Sequence, residues 1–573
     1  MVLECPTVDH IDSLIKQCGN FRSNFNLTES ELLSYSKSKR LECIIHITPN
    51  EVFQDLRYQR WLNTTDFNDY EIGSSTIKHI LLNRDNKCEP SLISSSKSQI
   101  KLNIISPDIF RLLNEKNQTE MICNKYSDDK FILNVPTMLK YNLRPAKDVG
   151  IVLNNCVELS LNSDNQSDIV RETLLKNDIV HQVEAYKSFV QQQEQQQQKY
   201  FNNGNITNSK SQIISDNCNI LFLGTGSATP GKLRNTSAIL VNFDDQRSML
   251  LDCGEATYLQ LNRFYGKNEM KHRVLRSIKA VFISHLHADH HFGLIRIIRE
   301  WQSLVVTDEV AERLFVIGPQ VVRNFLQSFA HSIEPTLLAS IELVDLHSLL
   351  YNKELSENEE QQITTTKRQI LESIGIKDLV TVQVPHCFDS HGLVITIGSG
   401  DKIVYTGDTM YSTAFDQAGR DALLMIHEAT MSDDLAEDAR LKHHSTISQA
   451  IQAAINCNAR YTILTHFSQR YAKIAPISGS GRGSQNPTLQ VQNQKKEKDQ
   501  IDSEISAIHY FKNKVGIAFD FMNIKLNELW KVARLKSPLE TLFADELEEI
   551  QDIQSRKTMK RKLMLYNDDD NAV

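Results

Sequence analysis

The chain has 573 residues, more than a single hydrophobic core usually holds, so two or more domains are expected. Its ordinary 40% hydrophobic content and the absence of any apolar run of 18 residues argue against a membrane-spanning protein. A formal net charge of −8 argues against a protein that coats nucleic acid with general positive charge. Any RNA site must therefore be a local one.

The cysteines and the amino terminus bear on the compartment. Ten cysteines are scattered along the chain and none forms a CxxC pair, which excludes a zinc ribbon and argues against a disulfide framework. The first ten residues have neither the apolar segment of a secretory signal nor the Arg-rich composition of a transit peptide. We expect the amino terminus of a cytosolic or nuclear protein, or an incomplete amino terminus.

Three polar stretches interrupt the pattern of packed structure. A Gln-rich run at 191–198 and the Asn-rich residues after it predict a linker over 191–216. Residues 478–500, rich in Gly, Ser, Gln and Lys, predict a flexible insert within a domain. The tail 539–573 is charged and begins with helical apolar spacing, and its basic residues 559–564 suit either a nuclear-targeting patch or a solvated surface.

Short apolar runs between the linker and the tail end repeatedly in polar residues. Each run is rich in β-forming residues and lacks clean alternation, which is typical of strands buried on both faces. The runs with their polar ends span 219–230, 248–255, 278–287, 380–387, 402–408 and 460–467. The residues able to carry chemistry stand where these predicted strands stop.

Segments with helical spacing separate the strands. One apolar stripe consists of Leu294, Ile297, Ile298, Trp301 and Val305. A second consists of Ile447, Ala450, Ile451, Ala454 and Ile455, preceded by a capping-box signature at Thr446 and Gln449. The alternation of strands and helices predicts a layered α/β sandwich.

The stretch SHLHADHHFG, residues 284–293, is the densest group of metal-binding residue types. His285 and His287 lie at a strand end, and Asp289 and His290 begin the next helix, so all four can face one small volume. Imidazole and carboxylate are zinc ligands, and four of them exceed the three protein ligands usual for one catalytic zinc. A histidine-rich surface loop is the alternative, but the pattern favours two metal ions.

Three later strand ends supply further candidates. His386, Asp408 and His466 each follow an apolar run directly or after one residue. Together with the first group they make seven ligands, enough for a two-metal site with Asp408 between the ions.

These residues resemble the metallo-β-lactamase superfamily, whose motifs are an aspartate after an early strand (Asp252 here), HxHxDH, a lone His, a lone Asp and a final His. Residues 427–450 and 465–473 resemble the HEAT, HST and HFSQRY motifs of ribonuclease Z, the endonuclease that trims tRNA 3′ ends. The loop PGKLRN at 230–235 is similar to that family's PxKxRN loop, and 542–550 is similar to the tail of its long form. The resemblance covers most of 217–550 and implies a metallo-β-lactamase αββα sandwich over 217–538.

The first 190 residues carry a second, less specific resemblance. Residues 44–62 and 99–113 are similar to the degenerate, metal-free amino-terminal half of long-form ribonuclease Z. We therefore expect 1–190 to be a partial half of the same fold. The beginning of the usual long form and its tRNA-clamping arm are absent from the sequence, which we interpret as a truncated gene model.

The resemblance implies a role for each site residue. One zinc ion would be bound by His285, His287 and His386, the other by Asp289, His290 and His466, with Asp408 bridging and Asp252 supporting. Asp289 is the expected acceptor of the proton of the attacking water. Glu428 and His444 are expected to form a relay that protonates the departing 3′ oxygen. A helix-capping carboxylate and a hydrogen-bond partner are the alternative interpretations of those two residues.

The implied substrate is precursor tRNA, cut to leave a 3′ hydroxyl. Expected substrate contacts are Lys232, Arg234 and Asn235 in the PxKxRN-like loop and Arg470 in the HFSQRY-like motif. The segment 263–279 carries six Lys or Arg against one acid, which suits either phosphate contacts or a solvated helical face.

Two other functions remain open at this stage: a hydrolase of thioesters or lactones on the same fold, and a non-enzymatic RNA-binding scaffold. The HEAT, HST and PxKxRN-like motifs favour the nuclease. No membrane association is expected. The expected compartment is the nucleus, the mitochondrion or the cytoplasm, and the two-half long form implies a monomer.

Overall fold

The structure is a computed structural model that describes residues 2–23, 43–62, 78–82, 93–113, 131–132, 140–142, 150–152, 163–202, 218–305, 312–352, 357–471 and 507–544. None of the helices in these ranges combines the length and the hydropathy that a membrane crossing needs. The chain divides into two compact units, Met1–Ile93 with Asn114–Asn162 and Ser94–Leu113 with Ser163–Val573. The predicted insert 478–500 and the tail beyond residue 544 lie outside the described residues.

The first unit contains a four-stranded parallel sheet in the order β1-β2-β3-β4. Its strands are β1 (Val2–Glu4), β2 (Cys43–Ile47), β3 (Lys78–Leu82) and β4 (Phe131–Ile132), and β5 (Lys140–Asn142) pairs separately with β6 (Gly150–Val152). Its helical segments are Val8–His10, Ile11–Ser23, Asn50–Gln54 and Leu56–Leu62. Ile11, Ile44, Val52, Tyr58 and Trp61 form its core.

The second unit is built on two sheets. The seven-stranded sheet has the order β12-β11-β10-β9-β8-β7-β19, and the six-stranded sheet runs from β13 to β18 in chain order. The strands of the larger sheet are β7 (Asn219–Gly224), β8 (Ala238–Asn242), β9 (Ser248–Cys253), β10 (Ile278–Phe282), β11 (Leu314–Gly318), β12 (Ile341–Asp345) and β19 (Asn523–Lys525). Those of the smaller are β13 (Asp378–Gln383), β14 (His391–Thr396), β15 (Lys402–Tyr405), β16 (Leu424–Glu428), β17 (Tyr461–Thr465) and β18 (Val515–Ile517).

Helices cover the outer faces of both sheets. Those of the second unit are Ile93–Ile105, Ser163–Leu174, Asn177–Asn202, Thr257–Tyr265, Lys267–Glu269, Met270–Val274, Leu275–Ser277, Ala288–His291, Leu294–Val305, Gln320–Ser332, Leu346–Leu349, Glu357–Ile374, Phe415–Ala418, Asp433–Leu435, Ala436–Leu441, Ile447–Asn456, Gln469–Tyr471, 507–514, Leu526–Leu535 and Lys536–Leu542. Neighbouring strand residues alternate in direction: Phe222 enters the core shared by the sheets, while Leu223 packs with Trp301 under the outer helices. The result is the four-layered α/β sandwich that the sequence predicts.

Several predicted elements are confirmed. Strands β7, β9, β10, β13, β15 and β17 occupy the predicted apolar runs. Helix Leu294–Val305 carries the first predicted stripe. Helix Ile447–Asn456 begins with the predicted capping box, in which Thr446 accepts from the backbone of Gln449 and the Gln449 side chain accepts from the backbone of Thr446.

The predicted linker and domain boundary need correction. Residues 191–202 continue the helix Asn177–Asn202. Glutamine is a good helix former, so a Gln-rich run readily extends a helix that apolar residues have anchored. Here Ile179, Val183 and Tyr186 provide that anchor in the core of the second unit. Residues 94–113 and 163–190 therefore belong to the second unit and not to the amino-terminal one.

Candidate metal centre

The candidate ligands stand just beyond the carboxyl ends of strands from both sheets. Asp252 lies within the last residues of β9, and the HxHxDH segment follows β10. His386, Asp408 and His466 follow β13, β15 and β17. The backbone is left-handed at Asp252 (φ 56°) and at His466 (φ 59°). A non-glycine residue in this region costs about 1–3 kcal/mol, a strain that is concentrated at functional sites.

The first group of ligand atoms comes from three histidines. Nδ1 of His287 lies 3.0 Å from Nε2 of His285 and 3.2 Å from Nε2 of His386. Ligands placed tetrahedrally at the usual zinc bond lengths are about 3.3 Å apart. The spacing of these three nitrogens therefore fits one zinc ion.

The second group is formed by Asp289, His290 and His466. Nε2 of His466 lies 3.3 Å from Nε2 of His290 and 3.4 Å from Oδ2 of Asp289. Oδ2 of Asp289 lies 3.7 Å from Nε2 of His290. These distances fit a second ion of the same kind.

Asp408 lies between the two groups. Its Oδ2 is 3.3 Å from Nε2 of His290 in the second group and 3.7 Å from Nε2 of both His285 and His386 in the first. The side chain is only 3% exposed. A single oxygen within reach of both groups has the position of a bridging ligand.

Hydrogen bonds on the far side of the rings orient the histidines. His285 Nδ1 donates to Ser284 Oγ (2.9 Å), His290 Nδ1 to Asp252 Oδ2 (2.7 Å), His386 Nδ1 to the carbonyl of His443 (2.7 Å) and His466 Nδ1 to Thr430 Oγ1 (2.9 Å). In each ring the Nε2 lone pair is left to face the centre. Such contacts fix the tautomer that a metal ligand needs.

Asp252 supports the site without joining either group. It is fully buried, and its carboxylate accepts from the backbone N–H and hydroxyl of Ser284, the hydroxyl of Tyr405 and the His290 ring. Its bonds to the ring of His290 and to Ser284, the residue before His285, hold the HxHxDH segment in place.

The charge balance of the centre is negative. Asp252, Asp289, Asp408 and Glu428 are buried, and within the described parts of the chain their only ion-pair partners are histidines. Burial by itself lowers the pKa of His290, but Asp408, Asp252 and Asp289 together hold that pKa well above its ordinary value. The centre thus favours a positive charge, which a bound divalent ion would supply in place of the proton on His290.

Glu428 and His444 form the predicted pair. Oε1 of Glu428 accepts from His444 Nδ1 (2.8 Å) and from the backbone of Thr409 (2.8 Å), and Oε2 accepts from Thr430 Oγ1 (2.6 Å). Burial opposes the charged imidazole, but Glu428 overcomes this and raises the pKa of His444 to about 9. His444 Nδ1 lies 3.9 Å from Oδ2 of Asp408, next to both ligand groups.

Two of the predicted substrate contacts are wrong. Arg234 is 2% exposed; its guanidinium donates to Thr225 Oγ1 and to the carbonyl of Ala518, 2.7 Å each, and lies over the rings of Phe467 and Phe519. Asn235 is also buried and donates to the carbonyl of Glu255 (2.8 Å). Both side chains hold the loop in place and are withdrawn from solvent, which argues against the predicted contact with RNA.

The other two predicted contacts are exposed. Lys232 lies in the loop after β7 and Arg470 in the turn Gln469–Tyr471. The two loops touch, because the Gln469 side chain donates to the carbonyl of Thr229 (2.7 Å). Lys232 and Arg470 therefore stand on adjoining segments of the surface.

The basic segment 263–279 is largely engaged with its surroundings. Arg273 pairs with Glu269 (2.6 Å) and Lys279 with Glu312 (2.9 Å). Arg263 donates to Gln260 (2.7 Å). These contacts favour the solvated-face interpretation over phosphate binding.

Sequence reasoning missed the residues that orient the ligands. Thr430 lies inside the HEAT-like motif and Ser284 directly precedes His285, so the motifs mark both positions without revealing their contacts. His443 joins two loops, since its Nδ1 donates to the carbonyl of His386 (2.7 Å) while its own carbonyl accepts from His386 Nδ1. Tyr405, within β15, has no sequence signal that separates it from a core residue.

Comparisons with a family model, with related proteins and with a solved structure show what the chain is similar to. The family model described as anti-Pycsar protein Apyc1 matches residues 218–481. The chain is 35% identical over 529 residues to zinc phosphodiesterase ELAC protein 2 of Mus musculus, covering 90% of this chain and 54% of that relative. It is 30% identical over 555 residues to mitochondrial ribonuclease Z of Drosophila melanogaster, covering 93% and 62%. The crystal structure of a long-form RNase Z from yeast superposes with a TM-score of 0.64 at 20% identity, covering 95% of this chain and 72% of that one.

The fold and the ligand groups define a protein of the metallo-β-lactamase superfamily, an α/β sandwich with its chemistry at the strand ends. Within that superfamily, the chain belongs to the long-form ribonuclease Z family. It spans about half the length of its mouse relative, 54%.

Proposed function

We propose that the protein is a zinc-dependent endoribonuclease that removes the 3′ trailer from precursor tRNA and leaves a 3′ hydroxyl on the tRNA. The observation that carries this proposal is the pair of Glu428 and His444 beside Asp408. Nδ1 of His444 lies 2.8 Å from Oε1 of Glu428 and 3.9 Å from Oδ2 of Asp408. Hydrolysis of a thioester releases a stable thiolate, so a metal centre is sufficient for that reaction. A phosphodiester releases a strongly basic 3′ oxygen, for which a positioned acid is needed.

Two zinc ions fit the ligand groups. We assign His285, His287 and His386 to one ion, Asp289, His290 and His466 to the other, and Asp408 to both. When bound, a pair of divalent ions lowers the pKa of water toward neutrality and neutralises charge on the phosphodiester oxygens. The names of the mouse and Drosophila relatives, a zinc phosphodiesterase and a ribonuclease Z, support both the metal and the reaction class.

Asp289 is proposed to accept the proton of the attacking water. Burial opposes its ionisation, but His290 and His466 hold the pKa of its carboxyl below the usual value, so the acceptor stays ionised. Its Oδ2 accepts the backbone N–H of Ala228 (2.6 Å), which fixes the carboxylate against the loop after β7. That loop is exposed from Ala228 to Pro230 and forms one side of the approach to the centre.

His444 is proposed to give a proton to the departing 3′ oxygen. Glu428 fixes the ring by accepting from Nδ1, so the proton available to substrate is the one on Nε2. Thr409 and Thr430 in turn hold the carboxylate of Glu428. The pair therefore keeps one orientation and favours the charged form of the imidazole.

Precursor tRNA is the proposed partner, and Lys232 and Arg470 are the proposed phosphate contacts. Both are exposed on adjoining loops, and the loop of Lys232 also contains Ala228, which is bonded to Asp289. We further propose the nucleus or the mitochondrion as the compartment, the latter supported by the name of the Drosophila relative.

The test is cleavage of a 3′-extended tRNA precursor by the full chain, with zinc and with chelator. We expect one cut that yields a tRNA with a 3′ hydroxyl and a trailer with a 5′ phosphate, and no product in chelator. Mature tRNA is the matched control and should remain intact. Hydrolysis of a glutathione thioester without any RNA product would refute the nuclease, and RNA binding without either reaction would favour a scaffold.

A further inference from the structure

A second cluster of metal-binding residue types lies outside the paired centre and shares no residue with it. It consists of His347, Asp389 and His391. His347 is in the turn Leu346–Leu349 that follows β12, Asp389 is in the loop between β13 and β14, and His391 is the first residue of β14. Two segments of the chain thus bring two imidazoles and one carboxylate together.

The three side chains surround one point. Oδ1 of Asp389 lies 2.8 Å from Nε2 of His347 and 3.6 Å from Nδ1 of His391. Nδ1 of His391 donates to the carbonyl of Asp389 (3.2 Å), so the lone pair of that ring is on Nε2. One ligand atom from each residue lies within 4.8 Å of the others.

Burial leaves two polar atoms of the cluster without a hydrogen bond, and one of them, Asp389 Oδ1, has an ion-pair partner in the His347 ring only when that ring is protonated. Asp389 Oδ1 and His391 Nε2 are buried, and neither makes a hydrogen bond of acceptable geometry with any residue that the structure describes. An unsatisfied buried polar atom costs about 1–3 kcal/mol, and more when it is charged. A cation at Oδ1 of Asp389 would remove the larger of these two costs.

The cluster is held in place by its surroundings. Asp345 Oδ1 accepts the backbone N–H of His347 (3.2 Å), and Asp389 Oδ2 accepts that of Gln320 (3.1 Å). The side chain of His347 is 45% exposed, while that of His391 is fully buried. The cluster is therefore buried at His391 and open to water at His347.

We propose that His347, Asp389 and His391 bind a third divalent transition-metal ion, separate from the paired centre. Two histidines and a carboxylate on one side of an ion, with an open position opposite, are a ligand set suited to zinc and its neighbours. Asp389 has a left-handed backbone (φ 62°), a strained conformation that this loop retains at the point where its carboxylate enters the cluster.

The third ion would position a ligand of the paired centre. The loop from β13 to β14 carries His386 near its start and leads through Asp389 to His391 at its end. The backbone N–H of His391 donates to the carbonyl of Ser284 (3.0 Å), the residue before His285. An ion held by His391 and Asp389 therefore fixes the loop that presents His386 and its contact with the HxHxDH segment.

The experiment counts bound zinc in the full chain. Each variant is loaded with zinc, freed of unbound metal by gel filtration, and assayed for zinc per chain by mass spectrometry. We expect one zinc ion fewer per chain in His347→Ala than in the wild type. His331→Ala, which removes an exposed histidine from helix Gln320–Ser332, is the matched control and should keep the wild-type content.

Asp389→Asn is the second variant. Asparagine tolerates a left-handed backbone and keeps an acceptor for the N–H of Gln320, but it removes the charge that holds the ion. It should also lose one zinc ion. Equal zinc content in the wild type and in His347→Ala would overturn the proposal. The readout is a difference in zinc content between variants and needs no RNA cleavage. Its result is therefore independent of whether the proposed nuclease activity is correct.

Discussion

Replacing Glu428 with glutamine tests the acid that the proposed reaction requires. The substitution preserves shape and most hydrogen-bonding capacity at a side chain that is only 1% exposed, but it removes the negative charge 2.8 Å from His444 Nδ1. Without that charge, burial lowers the fraction of protonated imidazole. General acid catalysis contributes about 10²- to 10⁴-fold, so we expect kcat to fall by that factor, or by roughly 3–5 kcal/mol in the barrier, with little change in KM.

The assay compares two substrates under single-turnover conditions. One is a precursor tRNA with the natural 3′ oxygen at the scissile bond, and the other carries sulfur at that position. Sulfur leaves without needing a proton, so the variant should be slow on the first and near wild-type on the second. Glu437→Gln, at an exposed carboxylate paired with Arg440, is the matched control. An equal loss on both substrates would refute the acid role and assign Glu428 to structure alone.

Three further outcomes are expected. Asp289→Ala should reduce cleavage by roughly 10³-fold or more, because it removes a metal ligand and the proton acceptor, while gel shifts with precursor tRNA remain unchanged. Arg234→Met should lower the free energy of unfolding by about 3–5 kcal/mol in urea titrations. It leaves Thr225 Oγ1 and the carbonyl of Ala518 without their buried donor, and it removes the positive charge that favours the ionised form of the buried Asp520 carboxylate. Lys232→Met should leave stability within about 0.5 kcal/mol and weaken RNA binding. Chelator should lower the thermal unfolding midpoint of the wild type, because divalent ions offset four buried carboxylates, and an unchanged midpoint would contradict the metal centre.

The candidate ligands could be predicted because they follow strand ends, either in the loop or, for Asp289 and His290, in the short helix after β10. Strands such as β10 and β17 are apolar throughout, and the first polar residues after them have few structural tasks other than capping or chemistry. When several strand ends carry imidazoles and carboxylates, a common site is the simplest explanation. The residues that orient those ligands were not predictable in the same way. Tyr405 reaches Asp252 only through the packing of the two sheets, and nothing in the sequence shows that the Ser284 hydroxyl contacts the ring of His285.

Arg234 shows where sequence reasoning fails. Lys232 and Arg234 are two residues apart in one loop, and both match the family motif. Only the fold separates them: Lys232 points to solvent, whereas Arg234 is buried over two aromatic rings beside the carboxyl-terminal strands. A positive charge in a motif indicates that a cation is needed, and it does not tell whether RNA or the protein itself requires it.

The predicted linker failed for a related reason. Low hydrophobicity at 191–198 indicates that the run cannot form a core, yet a helix needs only one anchored end to continue outward. The strands that were not predicted, such as β8 and β11, are fully buried elements whose ends carry no chemistry. Nothing in their residues distinguishes them from buried helical segments of similar length.

The reciprocal hydrogen bonds between His386 and His443 couple two steps of the proposed reaction. His443 is joined by a single peptide bond to His444, so a displacement of His386 on loss of its ion would be transmitted directly to the proton donor. Activation of the water and release of the 3′ oxygen would then be lost together. We therefore expect the loss of the ion at His386 to impair both steps of the proposed reaction.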